Sequence, residues 1–144
     1  MNFLNEFKLK YHDFKFWHMN TSPAWKAAYL QEKGGKVGKN VMLYTKLIGT
    51  EPYLICIHDD VNVAADVFFC NHDVSCFNMT RYLGLDNQLD KVGPIELWDN
   101  CMIGARSILM PGCSVGKNSV VAAGSVVTKH IPDNEVWGGY RPNL

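Results

Sequence analysis

Every sixth residue from Leu97 onward is aliphatic: Leu97, Ile103, Leu109, Val115, Val121 and Val127. Four positions after each of the first five stands a small residue: Cys101, Ser107, Cys113, Ser119 and Ser125. A half-buried strand alternates with a period of about two and an amphipathic helix with about 3.6, so neither yields a strict hexad with a fixed small position. A solenoid of short strands joined by tight turns does. Each hexad supplies one flat side and one corner of a triangular coil, with the aliphatic residue pointing inward. The small residue lies under the corner, where a larger side chain would clash. One coil cannot bury its own apolar face, so the repeat is stable only when coils stack.

The same phase runs earlier, through Val37, Leu43, Ile57 and Val63. Between these, Ile48 to Leu54 (IGTEPYL) breaks the register by an insertion around Glu51-Pro52. After Phe69 the repeat stops, and it resumes near Ile95. The interval from Cys70 to Pro94 is polar and contains Gly84 and Gly93-Pro94. A long excursion from a regular coil is expected to be either functional or disordered. Ahead of the repeat, Thr21 or Ser22 is suited to cap a helix, Pro23 to open it, and Gly34-Gly35 to end it. The pattern predicts one helix over Pro23–Lys33, covering the open end of the solenoid. The aromatic-rich stretch before it is read as packing on the first coil or on a neighbouring subunit, with contact to a membrane surface as the alternative. The expected organisation is residues 1–36 as an N-terminal segment with a capping helix, 37–137 as the solenoid and 138–144 as a short tail.

Composition narrows the function classes. The chain has 144 residues, 47% apolar and 12% aromatic, as in a folded single domain. Lys plus Arg equals Asp plus Glu at 14 each. That balance disfavours binding nucleic acid by phosphate neutralisation and also disfavours a polybasic membrane anchor. Cys56, Cys70, Cys76, Cys101 and Cys113 are odd in number and form no CxxC pair, as expected of free thiols in a reducing compartment. The opening MNFLNEFKLKYHDFKFW has no apolar leader core, and no run reaches the length of a membrane span. A cytoplasmic location is expected, without stable membrane insertion.

Five histidines offer a titratable base near neutral pH: His12, His18, His58, His72 and His130. His72 stands out because it opens the excursion directly after a coil edge. A base facing a cleft and a loop histidine bonded to backbone both fit that position. His58 falls where a hexad often has Gly, and is read with His130 as structural and exposed.

The hexads, the IGTEPYL insertion, the Asn71-His72-Asp73 segment and the ending GKNSVVAAGSVVTKHIPDNEVWGG resemble the hexapeptide-repeat acyltransferases. Within them the chain is similar to bacterial sugar O-acetyltransferases and their capsule or lipopolysaccharide relatives, from about Ala24 to Gly139. The resemblance implies an all-β fold, a left-handed parallel β-helix, which is an exception to the right-handed crossover rule. It implies a homotrimer with sites between neighbouring prisms, acetyl-CoA as acyl donor and no metal. His72 would be the base in direct transfer to a sugar hydroxyl, with Cys70 excluded as a nucleophile. Asp73 would orient it, with Asp59, Asp60 or a backbone carbonyl as alternatives. Backbone N–H groups or Trp98 would hold the oxyanion. By the same resemblance Ala105, Ala123, Gly124, Thr128 and Lys129 contact CoA. Arg141 replaces the usual basic residue near the 3′-phosphate, at whose place Asn143 stands. Asn71, Asn78, Arg81 and Tyr82 would contribute to the acceptor pocket. The alternatives are an N-acetyltransferase acting on an amino sugar or antibiotic amine, and a non-catalytic scaffold. A γ-class carbonic anhydrase is disfavoured: it needs three histidines around zinc, and only His58 and His72 lie in or next to the early coils.

Overall fold

A computed structural model of the chain describes residues 3–85 and 90–139. Three flat faces of parallel strands wind about one axis. The first holds β1 (Lys36–Val37), β3 (Ile55–Ile57), β8 (Ile95–Leu97), β11 (Ser114–Val115) and β14 (His130–Ile131) in that order. The second holds β2 (Met42–Leu43), β4 (Asn62–Val63), β9 (Met102–Ile103), β12 (Val120–Val121) and β15 (Val136–Trp137). The third holds β5 (Phe68–Phe69), β10 (Ile108–Leu109) and β13 (Val126–Val127). Strands equivalent in successive coils pair in register, as Leu97 with Val115 and Leu109 with Val127. The architecture is the stacked solenoid that the hexads predict, and it is the left-handed parallel β-helix that the family resemblance implies.

Inward side chains form one continuous core. Ile57, Leu97 and Val115 stack behind the first face, Leu43, Val63, Ile103 and Val121 behind the second, and Phe69, Leu109 and Val127 behind the third. All are 5% exposed or less. At about 25 cal/mol per Å² of apolar area, this core supplies most of the drive to fold. The small corner residues also satisfy corner carbonyls. Ser107 Oγ donates to the oxygens of Gly104 and Ala122, and Ser125 Oγ to that of Ala122. The buried thiols of Cys101 and Cys113, pushed up to about 12 by desolvation, fill the same position. In the two earliest coils Val41, Val61 and Val67 take it.

Left-handed residues turn the corners. Asn40, Asp60, Asn100, Asn118 and Asn134 lie at φ between 55° and 61° between the first and second faces. Asn tolerates this region because its short amide finds local partners. Here the partner is the next coil: Asn100 Nδ2 donates to Asn118 Oδ1, and Asn118 Nδ2 to Asn134 Oδ1, both at 2.9 Å.

The capping helix, α2, runs Pro23–Glu32, with Ser22 Oγ accepting from Trp25 N. It stops one residue short of the expected Lys33, which becomes the C-cap before Gly34 at φ 95°. Leu30 and Ala27 bury against the first coil, and Lys26 Nζ donates to the Tyr44 carbonyl. The stretch before α2 is itself a helix, α1 (Phe3–His18), which the sequence pattern did not reveal. Phe16 stacks on Tyr29 at 4.0 Å, and the Tyr29 hydroxyl donates to Asp13. Phe7, Phe14 and Trp17 remain exposed. No helix among the described residues is long and apolar enough to cross a membrane.

The excursion is not one loop. It forms β6 (His72–Asp73), antiparallel to β7 (Lys91–Val92), with α3 (Ser75–Tyr82) between them.

Candidate functional site

The insertion and the excursion meet at His72. The chain leaves the third face at Phe69 and sends the His72 side chain over the IGTEPYL insertion. There Glu51 Oε1 lies 2.8 Å from His72 Nδ1. Asn71 sets this distance. Fully buried, it donates from Nδ2 to the Glu51 carbonyl at 2.7 Å and accepts from Glu51 N at 3.4 Å. Gly49, at φ 69°, makes room for it: a Cβ there would sit 2.3 Å from Asn71 Oδ1. Asn71 therefore braces the site from within, its side chain spent on the backbone of the insertion at the inner wall of the pocket beside His72.

His72 Nε2 makes no hydrogen bond among the described residues. An Asp90 carboxylate oxygen lies 3.3 Å away, at ion-pair distance but poorly aligned for one. The Glu51 contact first, and Asp90 second, raise the imidazole pKa above its ordinary value against the opposing effect of desolvation. Glu51 is held below the usual carboxylate range by the Thr50 hydroxyl and by the His72 contact. The tautomer that donates from Nδ1 to Glu51 leaves the Nε2 lone pair free, the arrangement a general base requires.

Asp73 does not take the orienting role expected of it. Its Oδ1 accepts from Ser75 N at 2.9 Å, at the start of α3, and this contact lowers its pKa. Glu51 stands in its place. Asp59 is likewise occupied, accepting from Lys39 N. The Cys70 thiol donates to the His72 carbonyl at 3.7 Å, and burial pushes its pKa up. Asn78, Arg81 and Tyr82 lie exposed on α3, and none bonds to His72.

His72 opens on a pocket of about 240 Å³, lined among others by Trp17, Lys46, Leu47 and Phe68. Trp17 comes from α1, and Lys46 Nζ holds that helix end by donating to the Trp17 and Met19 carbonyls. The positive charge suits the C-terminal end of a helix.

The residues expected to hold CoA divide between two neighbouring corners. Ala105, Ala123 and Gly124 stack at the corner between the second and third faces, where Gly124 N donates to the Ala105 carbonyl at 2.9 Å. Gly104 beneath them has no space for a side chain, since a Cβ would meet Ala123 N at 2.4 Å. Thr128 and Lys129 follow β13 and line a groove of about 390 Å³ with Trp137 and Gly139. The Lys129 ammonium lies 5.4 Å over the Trp137 ring. Arg141 lies outside the described residues.

Parallel coils built on hexads are the architecture of the hexapeptide-repeat acetyltransferases. Residues 95–129 match the model described as the hexapeptide repeat of succinyl-transferase. The chain is similar to the galactoside O-acetyltransferase of Escherichia coli (strain K12), 32% identical over 108 residues covering 72% of this chain and 49% of the relative. The chain thus spans about half the length of the curated relatives it matches. Among solved structures, a galactoside acetyltransferase in complex with coenzyme A superposes at TM-score 0.68, with 25% identity over 96% of this chain and 79% of the other. A hexapeptide-repeat acetyltransferase of Vibrio cholerae complexed with acetyl-CoA shares the fold at TM-score 0.70 and 19% identity, over 92% of this chain and 80% of the other.

Proposed function

We propose that the chain is a subunit of an acetyltransferase that moves an acetyl group from acetyl-CoA to a sugar hydroxyl. The observation that carries this reading is the Glu51–His72 pair at the rim of a pocket, with Nε2 unbonded and the Asp90 carboxylate 3.3 Å from it. In this mechanism Nε2 takes the proton of the acceptor hydroxyl as its oxygen attacks the thioester carbonyl. Glu51 keeps the imidazole in the reactive tautomer and offsets the positive charge that forms on it. The tetrahedral intermediate then collapses, the C–S bond breaks, and the imidazolium returns its proton to the CoA thiolate. General-base catalysis of this kind contributes roughly 10²–10⁴-fold.

Similarity to galactoside O-acetyltransferases supports the donor and the sugar acceptor. The corner at Ala105, Ala123 and Gly124 presents backbone that a pantetheine arm can approach closely. Lys129 suits its phosphates. One chain lines only one side of such a cleft, so the active form is a homotrimer, with three-fold contacts closing the ring. Asp90 favours a second reading. A carboxylate beside the base attracts a cationic acceptor, so an amino sugar would be acetylated on nitrogen.

The test is release of CoA thiol from acetyl-CoA with a panel of sugars, amino sugars and nucleotide-linked sugars. Release that requires an acceptor and collapses in His72→Ala is expected. A preference for amino sugars would move the assignment to N-acetylation. No release with any acceptor, together with no binding of acetyl-CoA, would remove the transferase reading. Light scattering checks the trimer.

A further inference from the structure

The corner after the first face carries Gly38, His58, Trp98 and Gly116 in successive coils. At both glycines there is no room for a side chain. A Cβ would lie 2.4 Å from a carboxylate oxygen, of Asp59 at Gly38 and of Asp133 at Gly116. Two adjacent coils nevertheless put aromatic rings, an imidazole and an indole, at this position. Local rules broken twice in adjacent coils at one spot mark a site with a further role.

The two rings stack, with centroids 4.2 Å apart and planes 13° from parallel. That contact fixes the imidazole plane and turns Nε2 back along the outside of the first face. There it lies 2.9 Å from Glu96 Oε1 and 3.7 Å from Cys56 Sγ. Cys56 and Glu96 are direct partners across the β3–β8 pair, so rigid backbone holds both. The three donor atoms lie within 4.8 Å of one another on half-buried side chains. His58 is therefore not the solitary exposed turn residue that its position in the hexad suggests.

We propose that Cys56 Sγ, His58 Nε2 and the Glu96 carboxylate bind one zinc-class divalent cation. Sulfur, imidazole and carboxylate together select a borderline-soft metal rather than magnesium or calcium, which take oxygen ligands. Zinc bond lengths place sulfur and nitrogen about 3.5 Å apart and nitrogen and oxygen about 3.3 Å apart in a tetrahedron, so the carboxylate has to swing out by a few tenths of an ångström to admit the ion. Desolvation, and then Glu96, push the Cys56 thiol up, so it carries its proton in the metal-free protein. Binding releases that proton to solvent and leaves thiolate, neutral imidazole and carboxylate on the metal, with the fourth position open to water. The metal clasps β3 to β8, the two paired strands that the excursion separates in the chain. It takes no part in the chemistry at His72.

The full-length chain, stripped with a chelator and titrated with Co²⁺, tests this. One equivalent per chain is expected, with a thiolate-to-cobalt charge-transfer band that Zn²⁺ displaces. Zn²⁺ should also raise the unfolding midpoint. Cys56→Ser should abolish the band. His58→Gln and Glu96→Gln should each weaken binding by more than the roughly tenfold that follows loss of even an outer-shell partner. Cys76→Ser should change neither. Absence of the band in the wild type, or its survival in Cys56→Ser, overturns the assignment. If Cys56→Ser fails to fold, unaltered affinity in His58→Gln does the same.

Discussion

From Ile95 to Ile131 each coil repeats the one below it, whereas between Thr45 and Pro94 the chain breaks its own pattern twice. The first region puts an aliphatic residue inside and a small one under nearly every corner, and its inward side chains serve packing. The second inserts Glu51 into a coil edge and extrudes 25 residues between Cys70 and Pro94. These two irregularities meet over His72, held together by Asn71. Regular coils supply stiffness, and the departures from regularity supply the chemistry. A site within hydrogen-bond tolerance needs both, because loops position side chains accurately only when the scaffold beneath them does not move.

The sharpest way to break this comparison is His72→Ala. It should lower kcat by roughly 10²–10⁴-fold, with an unchanged unfolding midpoint at a pH above the imidazole pKa. A comparable loss of stability would mean that the irregular region carries the fold as well. The converse change is Leu109→Ala on β10, fully buried between β5 and β13. It should cost about 2–5 kcal/mol in denaturant unfolding, while Tyr82→Ala on exposed α3 stays within roughly 0.5 kcal/mol of wild type.

Glu51→Gln separates orientation from packing. The raised His72 pKa means the base is lost as pH falls through a value above about 6.5, the ordinary imidazole figure. The acid limb of kcat/KM should therefore lie above that value in the wild type and move down in Glu51→Gln. Asp90→Asn should move it in the same direction by less, since Asp90 is the weaker of the two influences. Asp73→Asn should leave it in place. A limb that follows Asp73 instead would return the orienting role to that residue.

The same shift has a stability counterpart. A folded pKa raised above the unfolded value gives stability that is fully present below the unfolded pKa and is lost as pH rises through the folded one. The unfolding midpoint of wild type relative to His72→Ala should accordingly shrink between about 6.5 and the kinetic limb.

The regular half of the molecule was legible because each hexad obeys one rule six times over. Leu97 to Val127 could be assigned to the core without any knowledge of partners. The capping helix was legible from Ser22, Pro23 and Gly34. The helix α1 was not, because its apolar residues, mostly aromatics, are scattered around its circumference: Phe16 is buried, while Phe7, Phe14 and Trp17 are exposed. His72 could be singled out by its place at the edge of the excursion. Its partner could not, since Glu51 is 21 residues away and approaches only after a full coil has turned. Adjacency favoured Asp73, but neighbours on a strand point to opposite faces. The insertion at Glu51-Pro52 was the one available signal, a broken register beside an unpaired carboxylate. The structural use of Asn71 was hidden for a related reason: its amide bonds the backbone of the insertion, 20 residues away in the chain.

The excursion also sets an order of assembly. Across it, coil-to-coil partners such as Asp59 and Asp99 are 40 residues apart, against 18 for Asn100 and Asn118 in the late coils. Each doubling of a loop adds about 0.6 kcal/mol of closure entropy. The late coils therefore close first and offer a finished edge at β8 for β3 to dock on. Pulse-labelled hydrogen exchange should find amides of β10 to β13 protected before those of β3 and β4, and simultaneous protection would show that the nascent chain does not feel the interruption.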